Sequence, residues 1–240
     1  MRSLRLFRRL VFVALYTSFI VAKLFLNDLF FGKDIRRSMR IRQDWATKLL
    51  PGIGIRLTQF GPIPEFPCLL VGNHRSYIDP ILILRYTNAY PVAKAEMASW
   101  PLFGKGARFA GIIYVDRGSA KSRAETLAAI ADKIQEGHSV ILFPEGTTSS
   151  SFETLPFKRG AFQIASKKNI PVVPVTLVFD DMDNHWVGTE SFLTHIVRQF
   201  KQQNVGIRLY FGPVLRSDDY EELLSLSQSW INETIRQYQT

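Results

Sequence analysis

The chain has 240 residues, a formal net charge of +9 and a hydrophobic content of 46%. This length suits one substantial domain with a buried core, and this hydrophobic content excludes a chain that is disordered throughout. The single cysteine excludes a disulfide framework and a cysteine-cluster metal site. Because Cys68 lies in the apolar run CLLV, we expect a buried structural thiol rather than a reactive one.

The positive charge is concentrated near the N-terminus. Residues 1–48 contain eleven Lys and Arg against three Asp, which is +8 of the +9 carried by the whole chain. The remaining residues are almost neutral, and this argues against a broad nucleic-acid-binding face. The basic end therefore predicts an anionic partner of another kind.

An apolar segment follows the first basic residues. Residues 10–26 read LVFVALYTSFIVAKLFL, about the length of a membrane helix, although Lys23 lies within it. A secretory signal peptide begins in the same way, but no small-residue cleavage site follows. The next stretch is loosely amphipathic, with apolar residues among many cations: Ile35, Met39, Trp45, Leu49 and Leu50.

Basic residues on both flanks of an apolar helix favour adsorption to an anionic membrane surface. We therefore expect residues 1–50 to form a helical membrane-binding appendage and residues 51–240 to form the main domain. The alternative is an N-terminal helix that packs on the domain. Whether residues 10–31 span the bilayer or only embed in it stays open, since cations on both flanks blur the orientation signal.

Short apolar runs punctuated by Gly and Pro predict the strands of the main domain. They cover residues 55–60, 68–71, 90–95, 111–115, 139–143, 172–179 and 205–211. Helices are predicted over 119–137, 158–168 and 218–238, the first with Ala124, Leu127, Ala131 and Ile134 on one face and Gly137 as its stop. The alternation predicts an α/β fold: a mixed, largely parallel sheet flanked by helices.

Polar clusters follow three of the predicted strands, where open α/β sheets bind their ligands. The first cluster, GNHRSYIDP at 72–80, contains His74 and Asp79. A carboxylate on one ring nitrogen of a histidine fixes its tautomer, so the pair suits a general base and its orienting group. The alternative is that Asp79, which precedes Pro80, caps the next helix.

The second and third clusters are DRGSAKSR at 116–123 and PEGTTSS at 144–150. Arg117 offers a charged fork that suits phosphate, or it forms an ordinary surface pair with Asp116. Gly146 permits a tight turn and close approach to a ligand. Glu145 can accept a hydrogen bond from a substrate hydroxyl, hold Arg117, or serve as a turn carboxylate, and hydroxyl groups follow at Thr147 and Thr148.

Four blocks of this sequence together resemble the glycerolipid acyltransferase family, of the 1-acylglycerol-3-phosphate acyltransferase type. NHRSYID at 73–79 resembles the family's NHxxxxD block, and GIIYVDR at 111–117 its second block. FPEGTTS at 143–149 resembles the third block and IPVVPV at 170–175 the fourth. All four occur in the family's order, and their joint occurrence is much more specific than any block alone.

The resemblance implies that His74 deprotonates an acceptor hydroxyl, which attacks the thioester of an acyl-CoA or an acyl carrier protein. Asp79 would orient His74. The acceptor's head group would be held by a set of residues near the strand ends: Lys94, Arg117, Glu145, Gly146, Thr147 and Thr148. The mechanism implied by the resemblance needs no metal, no cofactor and no covalent enzyme intermediate. We expect the protein to be membrane-associated, on the cytoplasmic face of the inner (plasma) membrane.

One position departs from the pattern of many lysophosphatidate-acylating members, which have Arg where this chain has Thr148. Loss of a guanidinium from a phosphate pocket removes a bidentate contact. Lys158 and Arg159 are candidate replacements, or they belong to a solvated basic turn. The leading expectation is acylation of 1-acylglycerol 3-phosphate to phosphatidate. Another lyso-lipid, such as lyso-ornithine lipid or a lysophospholipid, a non-catalytic lipid-binding protein and a thioester hydrolase stay open. The other three histidines are expected to be structural or at the surface: His138, His185 and His195.

Overall fold

The computed structural model describes residues 1–99, 111–116, 118–188 and 190–238. The helices of this part are α1 (Arg2–Phe31), α2 (Ile35–Gly52), α3 (Asp79–Leu84), α4 (Ala120–Gln135), α5 (Gly160–Lys167), α6 (Phe192–Lys201) and α7 (Tyr220–Tyr238). The strands are β1 (Ile55–Phe60), β2 (Leu69–Gly72), β3 (Tyr90–Lys94), β4 (Ile113–Val115), β5 (Val140–Leu142), β6 (Val172–Phe179) and β7 (Val205–Phe211). Short 3-10 turns cover Ala95–Ser99 and Met182–Asn184.

The strands form one sheet in the order β1-β7-β6-β2-β5-β3-β4. Within the described residues every adjacent pair is parallel except β6 with β7, which is antiparallel. The prediction of a mixed, largely parallel sheet flanked by helices is therefore confirmed. Because β6, β2, β5, β3 and β4 run in the same direction, their carboxyl ends meet at one edge of the sheet.

The sheet is covered on both faces, which explains its near-continuous apolar strands. Leu70 of β2 packs in a core that contains α3 and the end of α2, whereas Leu69 and Val71 pack in the opposite core with α4, α5 and α7. This alternation is the two-residue period of a strand. Cys68 is fully buried beside β2, and burial raises the pKa of its thiol to about 11, as expected for a structural cysteine.

Helix α4 is where the sequence predicts, but its buried face is rotated from the predicted one. Ser119 caps the helix by accepting a hydrogen bond from the Ser122 amide at 3.2 Å, and Gly137 follows the helix with a φ of +89°. The buried residues are Thr126, Ile130, Ala131 and Ile134, while Ala124 is exposed. The prediction of Ala124 on the inner face was wrong, because the adjacent turn of the helix meets β4 through Thr126.

Helices α1 and α2 pack together and onto the domain. Asp34 caps α2 by accepting hydrogen bonds from the amides of Arg36 and Arg37 at 2.9 and 3.2 Å. Arg9 of α1 is 8% exposed and donates to the carbonyl groups of Phe200, Gln202 and Gln203 at 3.1, 2.7 and 2.9 Å. A buried guanidinium thus caps the last turn of α6 and fixes α1 to the domain.

The apolar side of α2 contacts protein. Met39, Leu49 and Leu50 are buried in the two cores, and Ile35 and Trp45 pack against these cores in a half-buried state. The amphipathic pattern that suggested contact with a membrane surface is therefore the pattern of a helix packed on its domain. The division of the chain at residue 50 stays a prediction.

The side of α1 that does not pack on the domain exposes many apolar side chains, with the cations Arg8 and Lys23 among them. Within the described residues, α1 is long and apolar enough to cross a membrane by length and composition. Its large exposed side chains include Leu4, Phe7, Val11, Leu15, Phe19, Phe25, Leu29 and Phe30.

Candidate active site

At the start of the loop after β2, the side chain of Asn73 makes the hydrogen bonds to β6 that the backbone of a further strand residue would make. Asn73 is fully buried, and its amide group both donates to the Leu177 carbonyl at 2.9 Å and accepts from the Leu177 amide at 2.8 Å. These two bonds satisfy β6 beyond the point where β2 ends. Asn73 therefore fixes the start of the loop that carries His74.

His74 and Asp79 are in direct contact. The distance between His74 Nδ1 and Asp79 Oδ2 is 2.8 Å, Asp79 is fully buried, and the His74 side chain is 18% exposed. An ionised carboxylate only accepts hydrogen bonds, so it places the ring proton of a neutral His74 on Nδ1. Nε2 is then left unprotonated, which is the state that a general base needs.

The Asp79 carboxylate is turned back over its own loop. Its Oδ2 also accepts hydrogen bonds from the backbone amides of Arg75 and Ser76, at 2.6 and 2.7 Å. Asp79 is the first residue of α3, and the cap residue before it, Ile78, has no side-chain cap bond. The structure thus contradicts the alternative in which Asp79 caps the helix, because this side chain binds the amides that precede it.

The FPEGTTS segment packs directly against this loop. The rings of His74 and Phe143 are stacked with their centroids 4.4 Å apart. The His74 amide donates to Glu145 Oε1 at 2.7 Å, and the Ser149 amide donates to the His74 carbonyl at 3.0 Å. The ring and the backbone of His74 are therefore both held by residues about seventy positions away in the chain.

Glu145 is 5% exposed, and both of its carboxylate oxygens contact protein. While Oε1 accepts from the His74 amide, Oε2 accepts from the Ser149 hydroxyl at 3.2 Å and from the Leu155 amide at 2.8 Å. The Glu145 carboxylate therefore links the loop that carries His74 to the loop that follows β5. A contact between Glu145 and the acceptor stays a prediction.

Gly146 has a φ of +76°, a region that favours glycine. A Cβ atom on Gly146 would lie 2.4 Å from Nζ of Lys158, so the ammonium group covers this glycine closely. Of the two hydroxyl residues that follow, Thr147 is exposed and Thr148 is half-buried. The structure therefore brings Lys158 to the third block, whereas Arg159 is exposed at the start of α5.

Lys94 is the exposed last residue of β3, which pairs with β5 in parallel. It lies at the same sheet edge as the loops of His74 and Glu145. Arg117 lies outside the described residues, so its predicted contact with the acceptor stays a prediction.

Arg75 is a site residue that the sequence interpretation missed. It is fully buried, and its Nη1 donates to the Ser149 carbonyl and hydroxyl oxygens at 3.0 and 2.6 Å. Its carbonyl accepts from the Trp186 amide at 2.8 Å. Burial lowers the pKa of the Arg75 guanidinium, while the charges of Glu145 and Asp79 oppose that shift. The available signal was a cation inside NHRSYID, but a charged loop residue is usually solvent-exposed.

The other histidines pack within the structure. His185 is 2% exposed and packs edge-on against Phe179, and burial, assisted by the positive charge of Arg75, lowers its pKa to about 4. His195 is fully buried, with Nε2 3.1 Å from the Asn184 carbonyl oxygen. His138 packs against the ring of Tyr90.

An open cavity of about 470 Å³ borders the same two loops. Ser150 follows Ser149 in the chain, and His185 precedes Trp186, whose amide is bonded to Arg75. The lining residues are Ser150, Met182, Asp183, His185, Val187, Glu190 and Arg198. Arg198 is paired with Glu190 through contacts of 3.1 and 2.7 Å, so the lining has a net negative charge when both carboxylates are ionised.

Comparison with known proteins places these loops in a defined family. The model of the family described as Acyltransferase matches residues 55–178. A 1-acyl-sn-glycerol-3-phosphate acyltransferase of Neisseria meningitidis is 31% identical over 78% of this chain and 76% of that protein. A lyso-ornithine lipid O-acyltransferase of Pseudomonas aeruginosa is 27% identical over 71% of this chain and 67% of that protein.

The overlap with relatives varies in extent. A chloroplastic 1-acyl-sn-glycerol-3-phosphate acyltransferase of Brassica napus is 35% identical over 56% of this chain, which spans only 39% of the length of that relative. Among solved structures, the 1-acyl-sn-glycerophosphate (LPA) acyltransferase PlsC of Thermotoga maritima superposes with a TM-score of 0.77 at 18% identity, over 99% of this chain and 97% of that one. That likeness shows a shared fold.

Proposed function

Since this chain belongs to the acyltransferase family, we propose that it transfers a fatty acyl group from an acyl thioester to the hydroxyl group of a lyso-glycerolipid. The observation that carries the proposal is the contact of 2.8 Å between His74 Nδ1 and the buried Asp79 carboxylate. This contact supports His74 as the base, with Nε2 as the ring nitrogen that accepts the proton of the substrate. Retention of the intact pair argues against a lipid-binding protein without turnover.

In the proposed reaction, His74 Nε2 removes the proton of the acceptor hydroxyl while the oxygen attacks the thioester carbonyl carbon. An ester C–O bond forms and the C–S bond breaks, and the protonated His74 returns its proton to the departing sulfur. The Asp79 carboxylate stabilises the imidazolium that exists between these two steps. The proposed mechanism involves no covalent enzyme intermediate, no metal and no cofactor, with acyl-CoA or an acyl carrier protein as donor.

The first candidate acceptor is 1-acylglycerol 3-phosphate, with phosphatidate as the product. The names of the relatives from Neisseria and Brassica support this candidate. Positive charge at the correct sheet edge also supports it, since Lys158 covers Gly146 and Lys94 ends the neighbouring strand. Arg117, Thr147 and Thr148 are proposed to contact the same head group.

The second candidate acceptor is lyso-ornithine lipid, whose head group carries an amine. The half-buried Thr148, in place of a guanidinium, favours an acceptor without a phosphomonoester. The cavity beside the loops has two carboxylates against one guanidinium, which suits an ammonium group better than a phosphate dianion. The relative from Pseudomonas acts, by its name, on this lipid.

We further propose that the protein acts at the cytoplasmic face of the inner membrane. The apolar exposed side of α1 and the cations near the N-terminus support attachment to an anionic bilayer. This position gives His74 access to a lipid acceptor from the bilayer and to a soluble thioester from the cytoplasm.

The test offers the purified full chain labelled acyl-CoA and acyl carrier protein together with a panel of lyso-lipids in mixed micelles. We expect diacyl product from lysophosphatidate, and a loss of about 10²–10⁴-fold in His74→Ala. His138→Ala, which changes a histidine packed on Tyr90, should keep wild-type activity. Wild-type transfer to no acceptor, or equal rates in wild type and His74→Ala, would contradict the proposal. Release of free fatty acid alone would indicate a hydrolase.

A further inference from the structure

We infer that Tyr77 is a positioning residue, through which the α6 segment (residues 182–188 and 190–199) holds the loop of His74 in its reactive geometry. The inference rests on the proposed function, because it gives Tyr77 a part in the reaction of His74. Tyr77 acts through the loop and makes no contact with a substrate.

The ring of Tyr77 lies among three rings of the α6 segment. Its centroid is 5.5 Å from that of Trp186, 4.7 Å from that of Phe192 and 5.4 Å from that of His195. All three pairs meet edge-on, with angles of 70°, 70° and 87° between the ring planes. Because edge-to-face pairs prefer a defined geometry, three of them together fix both the place and the tilt of the Tyr77 ring.

The hydroxyl group of Tyr77 joins a chain of buried polar groups. It donates to Gln199 Oε1 at 3.0 Å and lies 3.2 Å from His195 Nδ1, while Nε2 of the same histidine lies 3.1 Å from the Asn184 carbonyl oxygen. His195, Gln199 and Asn184 are at most 3% exposed. A hydrogen-bonded network in such dry surroundings is rigid, so it gives the hydroxyl a fixed end point.

The loop is therefore held from two sides. On one side, the His74 amide donates to Glu145 at 2.7 Å, in the segment after β5. On the other side, the α6 segment holds Tyr77 through its side chain and Arg75 through its carbonyl group, which accepts from the Trp186 amide at 2.8 Å. The second attachment lies between His74 and Asp79 in the chain, so it acts on the stretch that sets their relative positions.

Loss of this attachment should change the direction of His74 and leave its chemistry intact. The contact of His74 Nδ1 with Asp79 lies within the loop and does not require Tyr77. The direction of Nε2 towards a bound hydroxyl depends on where the loop lies in the domain. A displacement of about 1 Å between a reacting group and its substrate can lower the rate about 10²-fold.

The first test measures kcat and KM of the full chain with labelled acyl-CoA and the lyso-lipid that wild type acylates fastest. Rates are taken per folded molecule, with the folded fraction from circular dichroism. We expect Tyr77→Leu to lower kcat about 100-fold and to leave KM within about twofold of wild type. Tyr77→Phe keeps the three ring contacts, so it should recover kcat to within about tenfold of wild type.

The matched control is Tyr210→Leu. Tyr210 also packs its ring between two others, with centroids 4.8 Å from Phe60 and 4.7 Å from Tyr238, and neither belongs to the His74 loop or to the α6 segment. This variant should be less stable than wild type but should keep wild-type kcat per folded molecule. If Tyr77→Leu does not fold, Phe192→Leu removes one of the three rings and should lower kcat about tenfold at unchanged KM.

The second test needs no turnover. Hydrogen–deuterium exchange with mass spectrometry follows the peptide that contains the amides of Arg75 and Ser76, which donate to Asp79 at 2.6 and 2.7 Å. These amides should exchange about tenfold faster in Tyr77→Leu than in wild type, while peptides of β2 and β6 stay unchanged. In Tyr210→Leu the loop peptide should exchange as in wild type.

A folded Tyr77→Leu variant with wild-type kcat, or with wild-type exchange in the loop, would overturn the inference. An equal loss of kcat in Tyr210→Leu would also overturn it, and so would a raised KM at unchanged kcat, because Tyr77 would then bind a substrate. The proposed function fails separately, when wild type transfers no acyl group. The exchange measurement still reports on the hold of the loop in that case.

Discussion

The loops around His74 bury charged side chains, whereas the outer face of α1 exposes apolar ones. Both regions therefore depart from the usual distribution of side chains, but in different directions. Around His74, the charged residues Arg75, Asp79 and Glu145 are at most 5% exposed. On α1, Phe7, Phe19 and Phe30 are 63% to 71% exposed. The buried charges are held by hydrogen bonds and by one another, whereas the exposed rings have no cover among the described residues.

This comparison shows that the two regions depend on different surroundings. The loops of His74 and Glu145 supply hydrogen-bond partners to each other within the protein. The outer face of α1 has large apolar side chains in contact with solvent, and a lipid bilayer would remove them from water. Variants can therefore test the site in isolation, but they test α1 only in the presence of a membrane.

The largest expected effect comes from Asp79→Asn. The asparagine oxygen can take the place of Asp79 Oδ2, which now serves three donors, but a neutral amide cannot stabilise an imidazolium. We expect kcat to fall by about 10²–10⁴-fold. The free energy of unfolding should fall by about 1.5–3 kcal/mol, as for weakened hydrogen bonds to a charged group.

Acyl-transfer assays and urea unfolding measure both effects. The exposed Asp132→Asn on α4 is the control and should leave both quantities near their wild-type values. A folded Asp79→Asn enzyme with wild-type kcat would contradict the role of the carboxylate.

The second expected effect is a dependence of stability on pH that arises from the buried His185. His185 is neutral in the folded protein, with its pKa lowered from 6.5 to about 4, so the unfolded chain binds a proton that the folded chain does not. Stability from this group is fully present above pH 6.5 and is lost as the pH falls towards 4. The loss amounts to about 3 kcal/mol.

The measurement is the free energy of unfolding of wild type and His185→Gln between pH 4 and 7. The difference between the two proteins should shrink as the pH falls. A difference that is constant across this range would show that the His185 ring does not exclude its proton.

The third prediction addresses the exposed face of α1. Transfer of one phenylalanine side chain from water into a bilayer contributes about 1.5–3 kcal/mol. Phe19→Ser should therefore weaken binding to anionic vesicles about tenfold or more, which vesicle co-sedimentation can measure. Leu226→Ser changes an exposed apolar residue on α7 and should bind as wild type does. Equal binding by Phe19→Ser and wild type would contradict the prediction that this face of α1 binds the membrane.

The smallest expected effect distinguishes two glycines that share a backbone conformation. Gly146 and Gly137 have φ values of +76° and +89°, so alanine at either site should cost about 1–2 kcal/mol of stability. A Cβ at Gly146 would displace the Lys158 ammonium, whereas a Cβ at Gly137 meets no atom within 4 Å. Only Gly146→Ala should raise the KM for an anionic acceptor severalfold. An equal change of KM in both variants would contradict a role of this cation in acceptor binding.

Much of the fold was predictable because strand and helix periodicity are local properties. β1, β6 and β7 begin and end where the apolar runs do. β3, β4 and β5 lose residues only at their ends, and β2 shifts by one residue, from 68–71 to Leu69–Gly72. The inner face of α4 was wrong at Ala124, since the direction of a helix face depends on the strand beneath it. Asn73, Arg75 and Ser149 were missed, because their partners lie about seventy or more positions away.

The sequence by itself determined the alternation of strands and helices, the concentration of cations near the N-terminus and the five-residue spacing of His74 and Asp79. These features rest on short-range periodicity and on composition. Only the tertiary structure decided that Asp79 turns back to His74 instead of capping α3, that α2 packs on the core, and that Arg75 is buried against Ser149. Those outcomes depend on desolvation and on charges from distant segments, which act through space and leave no local pattern in the chain.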